Sequence, residues 1–142
     1  MSTPLSPHRV LETSLYASDL GAARRFYTDV LGLTVLMEQP GRHVFFRVGN
    51  TMFLVFNPEA SADVHPPEGD VLVPRHGAHG PGHMAFAVPE SALPNWRARL
   101  EQAGVAIEAE VQWPSGTHSL YFRDPAGNSI ELATAEMWGL RD

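Results

Sequence analysis

The 142-residue sequence contains no cysteine, and because all ten of its basic residues are arginine it contains no lysine either. The first absence excludes thiol nucleophiles, CxxC redox chemistry, cysteine-bound zinc and disulfide scaffolds. The second excludes Schiff-base chemistry, a lysine general base and the lysine of a phosphate-binding P-loop. Long apolar runs are missing too: the longest, 52–56 and 84–88, have five residues each, far short of a bilayer span. The start of the chain, with Pro4 and Pro7, lacks the apolar stretch of a secretory signal, so a cytoplasmic protein is expected. Sixteen acids against ten arginines leave a formal net charge of -6, which disfavours binding to nucleic-acid phosphates. What remains is 44% hydrophobic residues in a chain of single-domain length, able to bury about 70% of its unfolded surface without a structural metal. Any metal therefore serves function first.

Residues 10–17 alternate like a strand. Ser18-Asp19 then offers a helix cap before Leu20, Ala23, Phe26, Tyr27, Val30 and Leu31 at helical spacing, with Gly32 as the stop. Strand-like segments follow at about 34–39, 43–48 and 52–57, parted by Pro40-Gly41, which suits a type II turn, and by Gly49-Asn50. The same βαβββ order recurs: a strand at 84–88, a helix with Leu93, Trp96, Leu100 and Ala103 on one stripe, Gly104 as its stop, then strands near 106–111, 119–123 and 129–133. Matching the halves sets Glu12 against His83, Gly32 against Gly104, Phe46 against Phe122, Gly49-Asn50 against Gly127-Asn128 and Phe53 against Glu131. The offset grows only from 71 residues (12 to 83) to 78 (53 to 131). Repetition of both order and punctuation implies an internal duplication. Over residues 1–142 we expect one domain: module 1 at about 10–57, a linker at 58–82 and module 2 at about 83–136. The linker is rich in Pro, Gly and His, so it should cross the surface or the mouth of a site rather than form an element.

Strand alternation puts Glu12, Ser14 and Tyr16 on one face, and His83, Ala85 and Ala87 on the corresponding face of module 2, with Glu131 and Ala133 opposing Ile130 and Leu132. A carboxylate in a sheet core costs several kcal/mol unless paired, solvated or metal-bound. The duplication relates Glu12, Phe53, His83 and Glu131, three of which are metal-competent. If the two sheets wrap into one cup, Glu12, His83 and Glu131 meet on its floor and hold a divalent ion with positions left open for water or substrate. A structural alternative stands beside it: His83 and Glu131 as a simple hydrogen-bonded pair, and Glu12 meeting Arg47 or lying at a solvated strand end.

Three segments, ETSLYASDLGAARRFYTDVLGL (12–33), GPGHMAFAVPE (80–90) and YFRDPAGNSIEL (121–132), make the chain similar to the vicinal oxygen chelate superfamily. That group includes glyoxalase I, bleomycin-resistance proteins, fosfomycin-resistance enzymes, methylmalonyl-CoA epimerase and extradiol dioxygenases. The resemblance implies an α+β protein of two tandem βαβββ modules forming an open, barrel-like cup around one divalent metal. It puts His83 and Glu131 at the ligand positions that open and close the second module, and Glu12 at the first-module opening, which is His in many members and Gln in some glyoxalases. Phe53 falls where glyoxalases and epimerases carry a fourth ligand, Glu or Gln. The missing fourth ligand departs from ordinary glyoxalase I, and Glu12 breaks the two-His, one-carboxylate pattern of extradiol dioxygenases.

The function expected is therefore a metal-dependent, glyoxalase-like lyase or isomerase acting on a small chelating oxygenated substrate, with Glu131 or Glu12 doubling as base. An extradiol-type dioxygenase is the enzymatic alternative. A metal-free antibiotic-binding protein that sequesters an apolar or cationic compound is the non-enzymatic one. Expected ligands are Glu12, His83 and Glu131 around Mn, Fe, Ni, Co or Zn. Expected pocket residues are Tyr16, Phe53, His79, His118 and Tyr121, with His43 and His76 as further candidates, and a homodimer is expected. Motifs for nucleotide binding or serine hydrolysis are absent, and neither a nucleic acid nor a membrane is an expected partner.

Overall fold

The computed structural model describes residues 4–63 and 73–142. The alternating segment at the start of module 1 forms β1 (Glu12–Tyr16). Asp19 ends the following turn by accepting the Ala22 N–H at 2.9 Å, which opens α1 (Leu20–Arg25). A regular helix was expected to continue to Leu31. Instead residues Phe26–Val30 wind as a π-helical turn, closed by Leu31 N–H to the Phe26 carbonyl at 3.4 Å. Adjacent side chains on a regular helix diverge by about 100°; the wider turn lets neighbouring Phe26 and Tyr27 both enter the core. Strands β2 (Thr34–Gln39), β3 (His43–Val48) and β4 (Thr51–Phe56) complete the module. Between β2 and β3 the Arg42 N–H bonds the Gln39 carbonyl at 3.0 Å with Gly41 at φ +79°, as a type II turn requires.

The linker was expected to form no element, yet it begins with a helical turn, α2 (Pro58–Ser61). Asn57 caps it through the Glu59 N–H, and Pro58 sits where its missing donor costs nothing. Residues 64–72 of the linker lie outside the described residues. Module 2 repeats the pattern with β5 (His83–Ala87), a 3-10 turn (Glu90–Ala92) leading into α3 (Leu93–Gln102), then β6 (Ile107–Gln112), β7 (His118–Arg123) and β8 (Ser129–Ala133). Among the described residues no helix is long and apolar enough to cross a membrane.

Each module is a four-stranded sheet, ordered β1-β4-β3-β2 and β5-β8-β7-β6, with the first pair parallel and the others antiparallel. Even the irregularities repeat: a bulge between Val35 and Met37 in β2 has its counterpart between Ile107 and Ala109 in β6. The chain is thus α+β, built of two βαβββ modules, and its two sheets do not join strand to strand into a closed barrel. The helix-bearing faces share one core, where Phe53 meets Phe86 at 5.6 Å and Phe26 meets Phe122 at 6.1 Å between ring centroids. The polar faces of both sheets therefore look outward from that core.

The Asp124-Pro125-Ala126-Gly127-Asn128 turn fastens the modules together. Asp124 accepts the N–H groups of Ala126 and Asn128 at 2.9 Å each, and the Tyr27 hydroxyl at 2.6 Å. Asn128 accepts the Gly82 N–H at 2.8 Å and donates to the Tyr16 carbonyl at 3.1 Å. Burial, followed by the charge and hydrogen bond of Asp124, holds the Tyr27 phenol far above its ordinary pKa, so it donates at every physiological pH. Gly82 permits this closeness, because a Cβ there would stand 2.7 Å from Leu15 Cδ2.

Candidate active site

The outward face of sheet 2 is organised around Glu131. Its residue is only 4% exposed, and its Oε2 accepts the Ser119 hydroxyl at 2.6 Å. Ser119 in turn accepts the Trp113 indole N–H at 2.8 Å. Tyr121 lies directly across the β7–β8 ladder from Glu131. Partial burial, then the hydrogen bond and charge of Glu131, push its phenol up to about 12, so it keeps its proton beside the carboxylate. On the other side His83 Nε2 stands 3.4 Å from Glu131 Oε1, while His83 Nδ1 meets the Ser129 carbonyl at 3.0 Å. A carbonyl can only accept, so Nδ1 carries a proton, and Nε2 is the ring nitrogen that faces Glu131. The imidazole side chain remains 52% exposed and lies nearly parallel to Tyr121.

Glu12 does not join them. It is exposed on sheet 1, makes no side-chain hydrogen bond or ion pair among the described residues, and is not paired with Arg47, whose Nε instead donates to the Gly49 carbonyl. Among the described residues no three His, Asp or Glu side chains of one chain converge. The expected convergence on a common floor within one chain is thus corrected: the polar faces lie outside a shared core, which keeps the first-module residue away from the second-module pair.

Phe53 is corrected as a pocket residue. At 1% exposure it packs against Tyr27, Phe46 and Phe86 on the helix side. The strand ladders show why: Ser14 pairs with Leu54, and its module-2 counterpart Ala85 pairs with Glu131. Leu54, not Phe53, is therefore the counterpart of Glu131. Aligning on the Gly-Asn dipeptides slipped the register by one, because four residues separate the paired Arg47 and Met52 whereas five separate their counterparts Arg123 and Ser129; such a slip reverses every face. The fourth ligand position remains non-ligating, now as leucine.

His118 is directed elsewhere, its Nδ1 2.6 Å from Glu90 Oε1 and its backbone N–H donating to Glu90 Oε2. His79 stands 3.5 Å from Glu59 at an exposed position on the linker. Neither reaches Glu131. The sequence reading missed Ser119 and Trp113 as neighbours of Glu131. The available signal was parity, since Ser119 shares a face with Tyr121 and lies within the strand that faces Glu131.

Sheet 1 offers a cleft of about 750 Å³ instead. Its floor is Leu54, Phe45, Phe56 and His43; Val73, Pro74, Arg75 and His76 of the linker form one side, so this stretch does cross a mouth. Tyr16 supports it by bonding His76 Nδ1 at 2.7 Å.

Comparison with known proteins follows the same two-module pattern. Residues 9–132 match the model of the Glyoxalase/Bleomycin resistance protein/Dioxygenase superfamily. A solved lactoylglutathione lyase from Agrobacterium tumefaciens is 41% identical, with a TM-score of 0.87 over 94% of this chain and 98% of that one. Glutathione transferase FosA of Serratia marcescens is 33% identical over 84% of this chain and 75% of its own. Biphenyl-2,3-diol 1,2-dioxygenase 3 of Rhodococcus globerulus is 33% identical over 92% of this chain but 63% of its own. With duplicated βαβββ modules, the shared register and these likenesses together, the chain belongs to the Glyoxalase/Bleomycin resistance protein/Dioxygenase superfamily.

Proposed function

We propose that the protein is a metal-dependent lyase or isomerase of the glyoxalase kind, acting on a small molecule with adjacent chelating oxygens. Its two modules, about 10–57 and 83–136, would form one domain, and two such chains a homodimer. The observation that supports this most is the His83–Glu131 pair. Its 3.4 Å donor separation is long for a hydrogen bond but suits two ligands of one ion at bond lengths of about 2.1 Å. The tautomer held by Ser129 and the carboxylate held by Ser119 are the outer contacts that such ligands need. Glu12 occupies the strand position equivalent to His83 and is left facing outward, so the third ligand comes from Glu12 of one protomer reaching His83 and Glu131 of its partner.

A divalent ion held there, whether Mn, Fe, Ni, Co or Zn, supplies Lewis-acid polarisation of a substrate oxygen. The chain's own residues divide the remaining work. Glu131 is pinned by Ser119 and would act as the fixed ligand. Glu12, which has no hydrogen-bond or ion-pair partner among the described residues, would be the ligand able to leave the ion and to take a proton from a substrate carbon and return it. Tyr121 keeps its proton and a donor at the site.

Elemental analysis of untagged protein, with and without metal loading, tests the reading: about one divalent ion per chain supports it, and none under any loading overturns it in favour of a metal-free binder. Mixing Glu12→Ala with Glu131→Ala chains tests the sharing, because random re-pairing should restore about a quarter of the sites. No restoration means that the ligands do not cross between chains. Oxygen uptake with catechols and Fe(II) would instead establish the dioxygenase reading, which the biphenyl-diol dioxygenase relative favours.

A further inference from the structure

The cleft on sheet 1 carries chemistry that the metal-centred reading leaves unused. Its floor is rich in π surface: the His43 ring lies flat against Phe45 with centroids 4.0 Å apart at 13°, and Phe56 meets Phe45 edge-on at 5.4 Å. His76 stands edge-on to Phe56 at 4.4 Å and is fixed by Tyr16. Five residues of formal charge line the same space, Glu12, Glu38, Asp63, Arg42 and Arg75. Two of the acids are accounted for: Glu38 is bound by Arg24 at 3.1 Å and Asp63 has an interaction of its own, which leaves Glu12 as one carboxylate against two arginines. The arginines are not accounted for, since neither Arg42 nor Arg75 has a carboxylate partner among the described residues.

Guanidinium groups beside an aromatic floor match one ligand chemistry well. The floor stacks a planar ring, and the planar fork of an arginine takes a carboxylate through paired N–H donors. The volume of about 750 Å³ lies within the range of small-molecule sites. A neutral or cationic compound would leave both guanidiniums without a counter-charge.

We propose that this cleft binds an aromatic carboxylate, its ring on Phe45 and Phe56 and its acid group toward Arg42 and Arg75, and that it is the substrate-anchoring half of the active site. Because Glu12 lines the same cleft, a ring held there lies next to the residue that would complete the metal centre. The substrate role rests on the function proposed above. The binding does not, since the lining comes from one chain and requires no ion.

The test is calorimetric titration of chelator-treated full-length protein with benzoate, and with benzyl alcohol and acetate as neutral and ring-free controls. We expect benzoate to bind at least about fivefold more tightly than either control, and Arg42→Gln and Arg75→Gln each to weaken it about fivefold or more without changing the melting temperature. Phe56→Leu should weaken benzoate and leave acetate unaffected. Equal binding of benzyl alcohol and benzoate, or full benzoate affinity in both arginine variants, overturns the proposal. Metal content of the untreated protein is measured separately. A protein that takes up its ion but ignores benzoate refutes the ligand assignment alone, whereas one that binds benzoate but never an ion refutes the metal reading alone.

Discussion

The outward faces of the two sheets started from one template and now differ in kind. On sheet 2 a single buried carboxylate collects Ser119, Tyr121 and His83 around it, with Trp113 behind the serine. On sheet 1 the equivalent strand position is Leu54, the residue opposite it is Phe45 where sheet 2 has Tyr121, and the face opens as an aromatic cleft. Strand order, register and even the bulges were retained, because they serve the shared core. The faces differ because they lie outside that core.

The strongest way to break this contrast is to make sheet 2 resemble sheet 1. Glu131→Leu installs the residue found at the equivalent position, and metal affinity should fall by on the order of 100-fold or more, beyond the 10–100-fold typical of losing an outer contact. Circular dichroism should show the fold retained, and elemental analysis reads the loss.

The Gly-Asn dipeptide offers a second contrast, this time in stability. Asn128→Ala removes the acceptor of the Gly82 N–H and the donor to Tyr16, and chemical denaturation should show a loss of about 2–4 kcal/mol. Asn50 closes the corresponding turn in module 1 but is exposed, so Asn50→Ala should stay within about 0.5 kcal/mol. Equal effects would show that the turn does not fasten the modules.

Ser119→Ala sharpens the first comparison by leaving the ligands in place and freeing one carboxylate oxygen. Metal affinity should fall about tenfold, measured by competition with a chelator of known affinity, while the same variant leaves benzoate binding at the sheet 1 cleft unchanged.

The smallest effect is alkaline. The native pKa of Tyr27 lies above its unfolded value of 10.0, so the unfolded state releases this proton first. Its stabilisation is complete below pH 10 and drains as pH rises toward the native value, by about 1.4 kcal/mol per pH unit. Tyr27→Phe should be less stable at neutral pH and should lack that portion of the slope in urea unfolding between pH 10 and 11.

The βαβββ repeat was legible in the sequence because punctuation and periodicity are local. Asp19 caps its helix, Gly41 takes its positive φ, and alternation correctly separated His83, Ala85 and Ala87 from Met84 and Phe86. The Phe53 assignment failed because two unequal hairpin turns shifted the register by one residue, and turn length is not written in the dipeptide that ends the turn. His118 failed because its partner, Glu90, lies 28 residues away in a 3-10 turn. Ser119 and Trp113 were hidden because serine and tryptophan carry no signature until a carboxylate is placed beside them.

By itself the sequence determined the modular architecture and the chemistry it excludes, since strand alternation, helix caps and missing residue types act over a few positions. It also singled out the DPAGN turn, though not its task. Only the tertiary structure decided that this turn is a fastening between modules, that Leu54 is the counterpart of Glu131, and that Glu12 faces away from His83 and Glu131. Each of these depends on how two hydrophobic faces close on a common core, and that packing is settled between residues roughly half a chain apart.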